Sequence, residues 1–305
     1  MRKQTTSTVF LVLLLTSWLL QVVRIQQVKA WNGTVYILPD GSISPSTAPI
    51  RQNGDFYTLT DSIISNGDGI VVERNGTKID GMGYTIQGDY GGVGINLTSI
   101  CDVTIRNMNV QGFYYGIFLA SASQNTILGN NLTANDIAIV LVSYSDDNDI
   151  KNNNVKENIN FGIWLDGSSN NSICHNNFVN NTQQAYTTYD SINTWDIGYP
   201  KGGNYWSNYD GTDLDQDRIG DTPYLIGSNN QDNYPLMNPW IQKTGDVNYD
   251  GRVDVKDVYA VSRAYGTSLQ GPNPPGRYYN PDCDINNDLK IDVRDLYIVC
   301  TNYGK

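Results

Sequence analysis

Between residues 94 and 178 the chain repeats itself. One unit reads "GINL" (94–97), "GIFL" (116–119), "AIVL" (138–141) and "GIWL" (162–165), a period of 22 to 24 residues. A second unit follows in each copy: "IRNMNV" (105–110), "ILGNNL" (127–132), "IKNNNV" (150–155) and "ICHNNF" (173–178), at spacings of 22, 23 and 23. Such a period marks stacked units that bury a shared core. The apolar segments run two to five residues, too short for helices, and Gly, Asn, Asp and Ser separate them. Alternation within a segment, as in Ile95 and Leu97 or Ile117 and Leu119, sends every second side chain inward. A coil of this length closes once around a narrow core. Coils stacked about 4.8 Å apart then pair each strand with its copies above and below. The expected fold is an all-β right-handed parallel β-helix, a solenoid.

The asparagines align in columns: Asn107, Gly129, Asn152 and His175; then Met108, Asn130, Asn153 and Asn176; then Asn109, Asn131, Asn154 and Asn177. Stacked amides hydrogen-bond along such columns, so these residues are expected to be structural. A looser copy covers "GIVVERNGTKIDGMGYTIQG" (69–88). Residues 31–67, with "YILPDGSISP" and "DFYTLTDSI", supply the first coil and a cap over the open strand edge. The repeats, this cap and the stretch "WDIGYPKGGNYWSNYDGTDLDQDRIGDTPYLI" (195–226) resemble the NosD-like family of β-helix proteins. The family takes its name from a periplasmic protein of copper-enzyme maturation, and the resemblance spans residues 31–240. It implies the β-helix. Copper handling needs clusters of His, Cys or Met, and this chain has one histidine, His175, and scattered sulfur.

The first 30 residues differ in character. Arg2 and Lys3 precede the apolar run "VFLVLLLTSWLLQVV", and "VKA" ends at Ala30, the pattern of a secretory signal peptide over residues 1–30. The run is shorter than the roughly 20 residues that span a bilayer, so no membrane span is expected after its removal. Arg2, Lys3, Arg24 and Lys29 leave with it, taking the formal net charge from −11 to −15. No basic stripe remains for nucleic acid or anionic lipid. A secreted or cell-surface location follows, and four cysteines suit an oxidising compartment. Cys283 and Cys300 flank an Asp-rich loop as one candidate pair.

That loop belongs to a duplicated tail, residues 246–305, joined to the β-helix region (31–240) by a linker at 241–245. "DVNYDGRVDVKD" (246–257) and "DINNDLKIDVRD" (284–295) share five oxygen-bearing residues at matching places. Asp246, Asn248, Asp250, Asp254 and Asp257 occupy positions 1, 3, 5, 9 and 12 of a calcium loop, with the Arg252 carbonyl at position 7. Asp284, Asn286, Asp288, Asp292 and Asp295, with the Lys290 carbonyl, repeat the set. A helix is expected after each loop, carrying Val258, Val261 and Tyr265, then Leu296, Val299 and Tyr303, on one face. Position 6 is Gly251 in the first loop and Leu289 in the second. The turn there favours a left-handed backbone, which costs a non-glycine residue about 1–2 kcal/mol. Two occupied sites are expected, the second weaker.

Asp at position 12, in tandem loop–helix units, makes the tail resemble a type I dockerin. The resemblance implies calcium as cofactor and a cohesin-type domain on another protein as partner. Family members often read the partner with Ser or Thr at positions 10 and 11. Here Val255 and Lys256, then Val293 and Arg294, stand there, so the partner's identity does not carry over. A third acidic stretch, Asp213, Asp215, Asp217 and Asp221 with the Ile219 carbonyl, follows the spacing of positions 1, 3, 5, 9 and 7. It lacks the turn glycine, replaced by Arg218, and the acid at position 12. It is a possible third metal site beside the alternative of a solvated loop.

Two further functions compete for the β-helix region. Sugar chemistry needs carboxylates across a cleft. Asp146, Asp147, Asp149 and Asp166 are the catalytic candidates for a polysaccharide lyase or O-glycosyl hydrolase, without the Gly-His-Gly of polygalacturonases and with few basic residues. Polysaccharide or glycan binding instead draws on exposed aromatics, with Tyr114, Tyr115, Tyr144 and Trp164 as contact candidates. Trp195, Tyr205 and Trp206 serve equally well for packing under a C-terminal cap. A purely structural surface spacer is the third reading. Sequons at Asn32, Asn75, Asn96, Asn131, Asn170 and Asn180 permit glycosylation.

Overall fold

The computed structural model describes residues 30–304 apart from Tyr189, Ser228, Gln242, Gln270, Asn287 and the stretches 249–251 and 281–282. The expected signal peptide, save Ala30, and the loop residues Asp250 and Gly251 lie outside the described residues. The chain forms the expected parallel β-helix. One wall, the first sheet, stacks Ile63–Ile64, Thr85–Gln87, Asn109–Gln111, Asn131–Thr133, Asn154–Lys156 and Asn177–Val179 between end strands Trp31–Asn32 and Tyr205–Trp206. The second runs from Val35–Ile37 through Ile70–Val72, Val93–Thr98, Tyr115–Ala120, Ile137–Val142 and Phe161–Asp166 to Gln183–Thr187. The third stacks Phe56–Leu59, Lys78–Asp80, Thr104–Arg106, Thr126–Leu128, Asp149–Lys151 and Ser172–Cys174. Register matches like with like: Ile95 pairs Ile117, then Ile139, then Ile163, and Ile105 pairs Ile127, then Ile150, then Ile173. All eight are buried, so the repeat phase seen in the sequence is the phase of the core.

Many corners of the later coils share one device. A residue with positive φ turns the chain, and the next residue is an inward asparagine. Gln124, Asp147 and Asn170 turn into Asn125, Asn148 and Asn171; Gly129, Asn152 and His175 into Asn130, Asn153 and Asn176; Ala134, Glu157 and Asn180 into Asn135, Asn158 and Asn181. The inward amides are buried and bond from coil to coil. Asn130 donates from its backbone N (2.9 Å) and Nδ2 (3.1 Å) to Asn153 Oδ1, and Asn153 does the same to Asn176 Oδ1 (3.0 and 2.9 Å). Asn125–Asn148–Asn171 and Asn135–Asn158–Asn181 repeat the pattern. The column beginning at Asn107 is therefore a row of left-handed turns rather than an amide ladder. The column beginning at Asn109 does form a ladder, on the outer surface.

Both ends are closed. At the N-terminal end, Val35–Ile37 pairs antiparallel with Ile43–Ser44, and Phe56–Leu59 with Ile50–Asn53, so the edge strands fold back on themselves. At the other end, a hairpin of Tyr224–Gly227 and Asn230–Asp232 terminates the interior ladders. Asn230 Oδ1 accepts from Asn193 N and Trp195 Nε1, both at 3.0 Å. Asp232 Oδ2 accepts from Asn204 N (2.7 Å) and Trp206 Nε1 (2.9 Å). Trp206 is stacked between Phe178 and Tyr224, with centroids at 4.6 and 4.3 Å.

Burial pushes the Asp232 carboxyl up to about 6, against the donors from Asn204, Trp206 and Tyr234. A carboxyl raised above its unfolded value contributes stability below about pH 4 and loses it as pH rises through about 6. The loss is of order 3 kcal/mol. Asp232→Asn loses an acceptor, because the Tyr234 amide also donates to this carboxylate, but it is expected to remove this group's share of the fall in melting temperature between pH 4 and pH 7.5. An equal fall in wild type and variant would refute this.

The tail carries two helices, α1 (Val255–Ala264) and α2 (Val293–Asn302). Its own core gathers Val247, Val253, Val261, Ala264, Leu269, Tyr279, Cys283, Ile291 and Val299. Val261 and Val299 are buried as expected, with Val258 and Leu296 packed beside them. Tyr265 and Tyr303 are not on that face: they are the C-cap residues, 40% and 56% exposed, because each helix ends one residue before them. Cys283 is buried while Cys300 is exposed on α2, and both are free thiols, which rules out the candidate pairing here. Among the described residues no helix is long and apolar enough to cross a membrane.

Candidate calcium loops and glycan face

The position-12 aspartates organise both tail loops. Asp257 Oδ1 accepts from Val247 N (2.9 Å) and Asn248 N (3.2 Å), and its Oδ2 from Asp254 N (2.8 Å). Asp295 repeats these bonds with Ile285 N (2.8 Å), Asn286 N (3.3 Å) and Asp292 N (2.9 Å). Each position-9 aspartate is also the N-cap of its helix, Asp254 accepting from Lys256 N and Asp292 from Arg294 N. Position 12 is thus N3 of a reciprocal capping box. Loop and helix are one folding unit.

In the second loop, Asp284 Oδ1 accepts from Asp288 N (3.0 Å) and Oδ2 from Leu289 N (2.7 Å) and Tyr279 Oη (2.6 Å). Asn286 Oδ1 accepts from Asp288 N, and Asp288 Oδ1 from Lys290 N. Leu289 has φ 66°, the left-handed conformation that position 6 demands. Asp246, Asp257, Asp284 and Asp295 are all buried. Burial, joined by the Asp295 charge, pushes the Asp284 carboxyl up, while the hydrogen bond from Tyr279 opposes it. Buried like charges of this kind are offset by a hard divalent cation with oxygen ligands, and the donor set fits calcium. Arg294 covers the rim, pairing with Asp288 (3.0 Å) and Asp292 (3.1 Å).

The 213–221 loop has the same internal bonds. Asp213 accepts from Asp217 N (3.1 Å) and Arg218 N (3.0 Å), Asp215 from Asp217 N (3.4 Å), and Asp217 from Ile219 N (2.8 Å). Arg218, in the place of the turn glycine, has φ 77°. Carboxylate oxygens of Asp213, Asp215 and Asp217 lie within 4.8 Å of one another. Asp221 instead binds Leu214 N at 2.8 Å and closes the loop.

The outer face of the second sheet is aromatic. Tyr115 stacks on Phe118 at 5.2 Å, and Phe161, Trp164 and Tyr186 contact one another at 5.5–6.3 Å. Phe118, Val140, Trp164 and Tyr186 form one axial rank by register. Tyr114 flanks it, half exposed, against Tyr115 at 4.5 Å. Tyr144, 79% exposed, stands apart in a left-handed turn after this sheet. Trp195 and Trp206 are buried in the cap.

The carboxylate candidates have structural surroundings. Asp146 Oδ1 accepts from Ser169 N at 2.7 Å, Asp147 is a left-handed corner residue, and Asp149 pairs with Lys151 two residues along the third sheet. Asp166 ends a second-sheet strand beside Val142, exposed.

Residues 16–211 match the family described as periplasmic copper-binding protein (NosD), and residues 244–302 match the type I dockerin domain. The chain belongs to the NosD family. It is similar to the probable ABC transporter binding protein NosD of Stutzerimonas stutzeri, 32% identical over 138 residues, which cover 40% of this chain and 31% of that protein. The NosD-family chain thus spans under a third of that relative's length. The crystal structure of the periplasmic alginate epimerase AlgG aligns at 18% identity and a TM-score of 0.34, covering 52% of this chain and 42% of that one. Type I dockerin domains bind calcium, and a dockerin implies a cohesin partner.

Sequence reasoning missed several residues of this NosD-family chain. The candidate partner contacts Val255, Lys256, Val293 and Arg294, which it did single out, are exposed at the starts of the helices. One turn on, Tyr259 and Tyr297 are exposed by 63% and 68% and extend the same surface on both repeats. Their matching positions in the duplicated loops were the available signal. Tyr279, which donates to Asp284, precedes the loop and has no counterpart in the loop pattern.

Proposed function

We propose that this is a secreted or cell-surface β-helix that docks through its calcium-loaded tail onto a cohesin-bearing scaffold and holds polysaccharide on its aromatic face. The duplicated capping-box loops carry the docking reading: two loops with the same three amide bonds lead into helices that present Val–basic–x–x–Tyr outward. Calcium would sit among Asp246, Asn248, Asp250, Asp254, Asp257 and the Arg252 carbonyl. The second ion would sit among Asp284, Asn286, Asp288, Asp292, Asp295 and the Lys290 carbonyl. Calcium-dependent capture by a panel of type I cohesin domains tests this. Tyr259→Ala with Tyr297→Ala, which removes two exposed rings of that surface and no group paired with a calcium ligand, should weaken capture and leave calcium binding intact.

The glycan reading is supported by the ranked aromatics. Trp164 and Tyr186 stand on adjacent coils with Phe161 against both, and such a cluster of rings along the axis suits contact with the sugar rings of a polymer lying on this face. Trp164→Ala is expected to lower affinity for the bound polysaccharide at least tenfold while the melting temperature moves little. A glycan array on which wild type and Trp164→Ala behave alike would remove this part. The 213–221 loop is a third calcium candidate. A full chain carrying both Asp257→Ala and Asp295→Ala should keep one calcium by calorimetry if that loop binds, and none if it does not.

A further inference from the structure

The outer face of the third sheet is covered where it should be open. Thr58, Asp80, Arg106 and Leu128 are consecutive in register and alternate with the inward Tyr57, Ile79, Ile105 and Ile127. They therefore point outward, yet each is only 5–7% exposed. On the next coil, the side chains of Lys151 and Asp149 are 29% and 36% exposed. The tail is what covers the earlier coils. Leu269, Tyr279 and Asn280 share a cavity of about 100 Å³ with Asp80, Arg106 and Leu128. Phe56 packs into the tail core, and Asn53 Nδ2 donates to Leu269 O at 2.6 Å.

Leu289 belongs to this seam. Its backbone carbonyl accepts from Leu269 N at 3.0 Å. It packs against the tail core and lines a second gap with Thr58, Leu59, Met82, Tyr84 and Leu269. A glycine at position 6 would relieve the turn and reach none of these groups. The tether is short as well: Trp240 stacks on His175 at 3.5 Å and bonds to Asn177, and the five residues 241–245 separate it from the tail. Such a linker reaches at most about 18 Å, so the effective concentration of the tail beside the sheet is high and a modest seam suffices.

We propose that the third sheet is the docking surface of the tail itself, with the second calcium loop seated on the β-helix through Leu289, Leu269 and Tyr279. Leu289 occupies a glycine position because its side chain is needed at that contact. The tail is then a fixed arm, and a scaffold bound to it is held at a set angle to the aromatic face. This rests on the seam, independently of the cohesin and glycan assignments.

The test uses the full chain at saturating calcium, read by small-angle scattering and by the rate of proteolytic cleavage within 241–245. Wild type should scatter as one compact body. Leu289→Gly is expected to speed linker cleavage about tenfold, as burial of one apolar side chain is lost and the open form gains population. The same variant should tighten the weaker calcium site about tenfold by calorimetry. Phe56→Ala should speed cleavage and leave both calcium affinities unchanged. A wild type that scatters as two tethered bodies, or a Leu289→Gly chain with unchanged cleavage and scattering, would overturn the proposal. Calorimetry that finds no calcium in the tail counts against the functional reading alone, because scattering and cleavage still decide the seam.

Discussion

Asp295→Ala should melt the second half of the tail and abolish its calcium site. The carboxylate is fully buried and accepts from Ile285 N, Asn286 N and Asp292 N. Alanine leaves these three donors without their acceptor, at about 1–3 kcal/mol each where water cannot reach. The sum rivals the whole stability of a small module. The position-12 ligand is lost too, so calcium affinity in this loop is expected to fall at least about 100-fold. Asp257→Ala should do the same to the first loop, since its three bonds are equivalent. Calorimetry and a two-transition thermal melt check this, the β-helix transition staying in place. An unchanged calcium isotherm would remove the loop from the account.

Asn153→Ala is expected to have the largest effect within the β-helix, costing about 3–5 kcal/mol. Its Oδ1 serves Asn130 N and Nδ2, and its Nδ2 donates to Ile127 O and Asn176 Oδ1, both at 2.9 Å. Truncation orphans buried groups on two neighbouring coils and opens a polar hole. The adjacent Asn154 gives the contrast. It belongs to the outer ladder, donating to Asn131 Oδ1 at 2.9 Å and accepting from Asn177 at 2.7 Å, where water replaces a lost partner. Asn154→Ala should cost under about 1 kcal/mol. Thermal denaturation of the two variants decides it; similar shifts would mean that the interior ladders do not carry the corners.

How much of this was legible in the sequence depended on where the period shows. Ile95, Ile117, Ile139 and Ile163 recur in phase, so the walls and their register could be read directly. The corners were harder. The columns beginning at Asn107, Met108 and Asn109 look alike in sequence, yet the first turns the chain, the second is buried and the third faces solvent. Only backbone φ separates them. The columns through Asn125 and Asn135 carry the same spacing and went unread because they fall outside the apolar segments. In the tail, ligand spacing was local and visible, but the seam joins residues such as Asn53 and Leu269 that are 216 positions apart. No periodicity reports a contact of that kind. Leu289 illustrates both halves: the sequence showed that it breaks the glycine rule, and the fold supplies a reason.

The most direct measurement of the central claim is binding of the full chain to immobilised type I cohesin domains, with calcium and after chelation. Saturable binding to at least one cohesin, lost on chelation, restored by calcium and weakened at least tenfold by Asp295→Ala, is the expected result. Binding that survives chelation, or no binding across the panel with calcium saturating, would contradict it.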